Sequence, residues 1–234
     1  PNLLPCVVIL GGSRPTLLLI EAVVQTVDAA VAAARSGAGR LELCAHLEIG
    51  GTTPDAATIA RVIPAVTIPV FVMVRPRGGA FVYSAGEIDA MKRDIAVAAA
   101  NGAAGIVLGV LRPDHRVDVE RTRALVHDAA GLPVTFHRAI DETPDLLDAV
   151  DSVIDAGVSR VLTSGGAATA ADGADVLAGL VERVGPRLIV MPGGGIRAHN
   201  ARTVIERTRA REIHARFVDE EGMRALAAVA HHLL

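Results

Sequence analysis

Proton-transfer chemistry needs an acid and a base within reach of one another. The chain places carboxylates and imidazoles on short apolar runs: Glu21 in LLLIEAV (17–23), Glu42 in RLELC (40–44), His137 in PVTFHR (133–138) and His214 in REIHA (211–215). In a water-poor interior such groups have pKa values drawn toward neutrality, which suits Glu21 or Glu42 as base and His137 or His214 as acid. In RPRGGAFVYS (75–84), Arg75 and Arg77 stand beside Gly78 and Gly79 and offer bidentate donors to a carboxylate or phosphate. The loops TSGG (163–166), with Ser164 and Gly165, and PGGGI (192–196), with Gly194 and Gly195, would turn backbone N–H groups toward the same small anion. A soft metal ion such as Cu(I) seeks thiolate and thioether donors. Cys44 and His46 in CAH offer two ligands from one strand end, with His137 or His214 as a third.

Each reading has a plainer counterpart. Charges inside a fold can form a salt-bridge network that fixes strand register. A glycine-rich loop can be a tight turn, and an interior cysteine a small apolar filler. Other chemistries are excluded by inventory. Lys92, the single lysine, sits in a helical stretch, so no strand-borne Schiff base can form. Gly-x-Ser-x-Gly, His-Glu-x-x-His and paired Cys-x-x-Cys motifs are absent.

The elements that must position these groups alternate. Eight apolar runs rich in branched residues (17–23, 40–44, 69–75, 104–110, 133–138, 159–163, 187–191 and 211–215) are separated by Ala-rich helical stretches, the pattern of a parallel sheet with crossover helices. Eight such units predict a single (β/α)₈ TIM barrel over residues 17–234, with residues 1–16 an extension of unknown role. Thr26, Thr53-Pro54, Asp118 and Thr143-Pro144 read as helix starts, and Ser84 with Glu87 as a capping box. Gly37, Gly102, Gly131 and Gly157 read as helix ends. Side chains alternate along a strand, so Leu41 and Leu43 face the helices while Glu42 and Cys44 point inward. The same parity turns Glu21, Arg75, Thr135, His137, Glu212 and His214 into the barrel, whose chemistry belongs at the C-terminal ends of its strands.

Composition narrows the partners. The 234 residues are 51% hydrophobic and 21% charged, with a formal net charge of −3, which describes a globular chain. With 23 basic against 26 acidic residues, 2% aromatics and no basic stripe, nucleic acid is not an expected partner. Two cysteines, Cys6 and Cys44, cannot make a disulfide framework and suit a reducing cytoplasm. No apolar run reaches the ~18 residues of a membrane span, and the first ten residues lack the basic flank and exit site of a signal peptide.

Taken in order, ELCAH (42–46), GGTTP (50–54), RPRGGAFVYS (75–84), VTFHRAID (134–141), LTSGG (162–166), MPGGGI (191–196) and EIHA (212–215) resemble the CutC family, named for copper homeostasis. The likeness runs from about Leu17 to Ala215. It implies a cytoplasmic TIM barrel that binds copper and assembles as a homo-oligomer, a dimer or tetramer. It also carries over Glu21, Glu42, Cys44, Arg75, Arg77, His137, Arg138 and His214 as functional positions. The chain departs from the family pattern at Val23, where a cysteine is usual, at His46 (usually Asn) and at Ala80 (usually Asp). After strand eight, HARFVDEEGM leads almost directly into the last helix, which would open one wall of the mouth. The expected function is copper homeostasis through a bound copper ion. The alternative is an isomerase- or lyase-type enzyme that works on a small anion held by Arg75 and Arg77.

Overall fold

A computed structural model describes residues 18–231; the extension read over residues 1–16, with Cys6, lies outside them. The eight strands are β1 (Leu19–Val24), β2 (Arg40–Leu43), β3 (Val70–Met73), β4 (Gly105–Leu108), β5 (Val134–Phe136), β6 (Arg160–Thr163), β7 (Ile189–Pro192) and β8 (Glu212–Arg216). A helix follows each: α1 (Val27–Arg35), α2 (Ala56–Val62), α3 (Ala85–Ala100), α4 (Val119–Asp128), α5 (Leu146–Asp155), α6 (Ala174–Val184), α7 (Ala198–Thr208) and α8 (Glu220–His231). The strands form one parallel sheet in the order β7-β6-β5-β4-β3-β2-β1-β8. Its two ends, β7 and β8, come together and nearly close the barrel.

Capping side chains set where the helices begin. Thr26 and Asp118 accept from backbone amides as expected, and Ser84 and Glu87 form the reciprocal capping box. At α2 and α5 the cap falls on the residue directly after each Thr-Pro pair, Asp55 and Asp145. A carboxylate accepts from the first-turn amides better than a hydroxyl there, and it also meets the positive end of the helix dipole. Residues 217–219 alone link β8 to α8, so the eighth loop is as short as the sequence implies.

Alternation divides the apolar residues into two layers. Ile20, Ala22, Leu41, Leu43, Val72, Ile106, Leu108, Phe136 and Ile213 face outward into the core beneath the helices. Fully burying each large side chain there contributes about 1.5–3 kcal/mol. Val23, Cys44, Phe71, Met73 and Val107 form a separate cluster inside the barrel. The polar residues among the remaining inward positions hold the candidate site.

Candidate functional site

The floor of the barrel is ionic. Arg40 opens β2 and pairs through Nε with Glu21 Oε2, and through Nη2 with Glu212 Oε2 at 2.6 Å. Arg160 opens β6 and grips the same Glu212 with Nε at 2.5 Å and Nη2 at 3.0 Å. The Phe71 ring lies beneath both guanidinium groups, with centroid distances of 4.8 Å and 5.4 Å. Gly105 makes room for that ring, because a Cβ there would lie 2.5 Å from it. Burial alone would raise the Glu212 carboxyl, but its hydrogen bonds from Arg160 and Arg40 hold it below the ordinary range.

Above the floor, β8, β1 and β2 lie side by side and contribute one group each. The ladders pair Glu21 with His214 and Val23 with Glu42. His214 Nδ1 lies 2.9 Å from Glu21 Oε1 and 3.8 Å from Glu42 Oε2. A donor atom from each of the three residues can be chosen so that all lie within 4.8 Å of one another. Glu42 Oε2 is buried and has no hydrogen-bond partner. The two carboxyls diverge accordingly. Burial pushes Glu42 up to about 7, aided by the charge of Glu21 and opposed by His214 and Arg40. Glu21 is just as buried, yet the His214 hydrogen bond and the Arg40 charge bring it down to about 2. His214 is raised: burial favours its neutral form, but the Glu42 and Glu21 carboxylates outweigh that.

His137 stands at the end of β5 in a different setting. Its Nδ1 accepts from the Ala139 amide at 3.2 Å, so the neutral ring carries its proton on Nε2, which is buried and unpartnered. Burial, with the nearby Arg75 charge, lowers His137 to about 3. Phe81 packs on the imidazole with centroids 4.9 Å apart. Gly109 accommodates the other side, since a Cβ there would sit 2.4 Å from the ring.

Arg75 and Arg77 bind their own loops. Arg75 donates through Nη1 to the carbonyls of Ile49 (3.1 Å) and Gly51 (2.9 Å), and through Nη2 to Gly79 (3.0 Å), while stacking on Phe81. Arg77 pairs with Glu87 at 2.6 Å and donates to the carbonyls of Ala80 and Val82. Glycine-rich turns leave such carbonyls without secondary-structure partners, and a guanidinium satisfies several at once.

The loop after β6 likewise has an internal anion. Asp141 accepts from Thr163 Oγ1 (2.5 Å), from the Ser164 amide (3.1 Å) and from the Gly166 amide (3.2 Å). The Gly165 amide donates to Thr163 Oγ1. Arg138 bridges Asp141 (2.8 Å) and Ser164 Oγ (2.9 Å), and its Nη1 lies beside Gly194. Gly195 follows in that loop, its carbonyl accepting from Asn200 Nδ2. Cys44 and His46 face different surroundings. Cys44 is buried among Val23, Phe71 and Met73, its Sγ toward the Val24 carbonyl, and burial pushes its thiol far up. His46 has a left-handed backbone (φ 51°) and a 65% exposed side chain beside Glu48.

A CutC family profile matches residues 18–218. The chain belongs to the CutC family. A copper homeostasis protein cutC homolog of Homo sapiens is 44% identical over 208 residues, spanning 88% of this chain and 76% of that protein. A CutC protein of Xanthomonas campestris is 43% identical over 196 residues, covering 84% and 82% of the two chains. The crystal structure of a CutC protein from Streptococcus agalactiae superposes with a TM-score of 0.81 at 31% identity, over 85% of this chain and 98% of that one. A thiamine phosphate pyrophosphorylase from Pyrococcus furiosus shares the fold alone, with a TM-score of 0.65 at 17% identity, over 94% and 98% of the two chains.

Three residues of this CutC chain escaped the sequence reading as site groups: Arg40, Arg160 and Asp141. Parity could have found the first two, since each stands two residues before an inward position of its strand, Glu42 and Leu162. Asp141 was signalled only by its spacing of three from Arg138.

Proposed function

We propose that this CutC chain serves copper homeostasis in the cytoplasm by binding a copper ion directly, as a homo-oligomer. The observation that carries the reading is Glu42 Oε2, an oxygen buried in the barrel without a hydrogen-bond partner and beside an imidazole. Buried polar atoms are nearly always satisfied, and an orphan of this kind calls for a proton, a water or an ion. Cys44 supports the reading less, because its thiol must lose a proton against strong burial before it can bind as thiolate. The test is titration of the full chain with Cu(I) under reducing conditions, and separately with Cu(II), each against a competing chelator. Stoichiometric binding of either ion above the chelator background is expected, and the absence of both removes the reading. Light scattering of the same sample tests for a dimer or tetramer.

A second reading, acid–base turnover of a small anion, is favoured by the buried and unpartnered Nε2 of His137. With Arg75 and Arg77 engaged by carbonyls, the anion would meet Arg138 and the Gly194–Gly195 loop. Inorganic phosphate that raises the melting temperature of the wild type but not of Arg138→Gln would select this reading. No shift in either would remove it.

A further inference from the structure

We infer that Glu21, Glu42 and His214 form a divalent-cation site in the middle of the barrel, built for copper(II) or zinc(II) and not for copper(I). For copper, the inference rests on the reading above and adds where the ion sits and in which oxidation state.

The site is preorganised by backbone. Its residues come from three consecutive strands of the sheet, β8, β1 and β2, and the ladder registers fix their heights. Ligand bonds from imidazole nitrogen or carboxylate oxygen to such an ion are about 2.0–2.2 Å long, so donors around it stand roughly 3–4 Å apart. The 2.9 Å and 3.8 Å separations from His214 Nδ1 already have that spacing. An ion here takes the place of the proton that joins His214 Nδ1 to Glu21 Oε1.

Two further features point to a ligand. Glu42 Oε2 is deeply buried and directed at His214, with nothing at hydrogen-bond distance. Glu21 divides its carboxylate: Oε2 is held by Arg40, which leaves Oε1 turned to the imidazole. An outer partner that orients a ligand in this way is what metal sites use to hold geometry.

Charge and donor type select the ion. Arg40 and Arg160 balance Glu21 and Glu212, so with Glu42 as a carboxylate and His214 as the neutral imidazole that a metal ligand must be, these groups carry one negative charge, and a divalent cation leaves them one positive charge. All three ligands are nitrogen or oxygen donors, which suit Cu(II) and Zn(II), with Cu(II) the tighter, whereas Cu(I) prefers sulfur. Of the sulfur-bearing side chains within the barrel, Met73 packs in the apolar cluster around Cys44, and the other two have polar contacts. Met191 Sδ accepts from Arg40 Nη2 at 3.2 Å, and Cys44 Sγ points to the Val24 carbonyl.

The test uses the full chain, stripped with chelator and titrated with Cu(II), Zn(II) and Cu(I) against a competing chelator. Wild type is compared with Glu42→Gln, His214→Ala and Cys44→Ala, and the Cu(II) forms are examined by electron paramagnetic resonance. The inference expects one Cu(II) per chain with coupling to a single imidazole nitrogen. In Glu42→Gln the affinity should fall at least as far as the roughly 10–100-fold lost with an outer-shell partner, and Cys44→Ala should bind as wild type does. Should His214→Ala fail to fold, Glu42→Gln decides alone, because its amide keeps the shape and removes the charge. Unchanged Cu(II) affinity and spectrum in Glu42→Gln would overturn the site while leaving copper binding intact. Copper binding lost in Cys44→Ala would also overturn it, in favour of a thiolate site. A wild type that binds Zn(II) at these residues but neither copper ion would uphold the site and sink the copper reading.

Discussion

The floor of the barrel and the tier above it are made from the same kinds of residue, equally removed from water, yet they are satisfied differently. On the floor two guanidiniums meet two carboxylates, and the aromatic ring beneath both stacks on each cation. In the tier above, Glu42 Oε2 has no hydrogen-bond partner, and higher still His137 Nε2 has none. Burial of charge therefore does not mark a functional site in this molecule. Within the barrel, what sets the upper tier apart is polar capacity left over once the neighbours have been served. The floor acts as a strut between β1, β2, β6 and β8, and the tier above keeps donors free for something that is not protein.

The contrast makes its largest demand on Arg40. Replacing it with Met leaves Glu21 and Glu212 short of a cation in a closed interior, and breaking a buried pair from one side costs about 3–5 kcal/mol. Denaturant unfolding of Arg40→Met should show a loss of that size. A loss under about 1 kcal/mol would mean that the floor behaves like a surface ion pair, and the distinction between tiers would disappear.

His137 sharpens the comparison through pH. Folding holds its ring neutral down to about pH 3, whereas the imidazole ordinarily takes up its proton near 6.5. Between those values the unfolded chain binds the extra proton, so this group's contribution is complete above pH 6.5 and is lost as pH falls toward 3. The slope is about 1.4 kcal/mol per pH unit for one proton. His137→Asn keeps an acceptor for the Ala139 amide and removes the titration. From pH 6.5 to 4 the unfolding free energy of the wild type should fall relative to that of the variant by about 1.4 kcal/mol per pH unit; parallel curves would show that His137 is not held neutral by the fold.

Gly105 tests the floor by crowding. An alanine Cβ would lie 2.5 Å from the Phe71 ring, which cannot retreat without disturbing Arg40 and Arg160. Overpacking of this kind costs about 1–3 kcal/mol. Gly105→Ala should lower the unfolding midpoint by a corresponding amount, and a neutral result would mean that the ring is not clamped.

Much of this architecture was written in local pattern. The alternation of apolar runs and Ala-rich stretches specifies the barrel, and strand parity alone turns Glu21, Glu42, His137 and His214 inward. Partnership was harder to read, because it is decided between elements far apart in the chain. His214 and Glu21 are 193 residues apart and meet only because β8 closes onto β1. Arg75 looked free to hold an anion, yet it is claimed by carbonyls of a loop more than 20 residues earlier. The amides of the TSGG loop looked equally free until Asp141 took them. Cys44 and His46 show the converse. Two residues apart, they point one into the barrel and one to solvent, because the strand ends at Leu43 and the backbone turns left-handed at His46.

The smallest expected effect is the most discriminating. Glu42→Gln keeps the length and planarity of the side chain and alters Oε2, an atom that has no hydrogen bond to lose. In chelator-treated protein the substitution should change stability by less than about 1 kcal/mol, because the penalty for a lost buried partner does not apply. A polar atom maintained in a protein interior at so little benefit to folding has its use elsewhere, and the same variant tests that use by metal affinity. If Glu42→Gln instead costs as much as Arg40→Met in the absence of metal, Glu42 is part of the strut. The tier above the floor would then be an extension of the ionic network, and its open coordination would have to be explained by bound water.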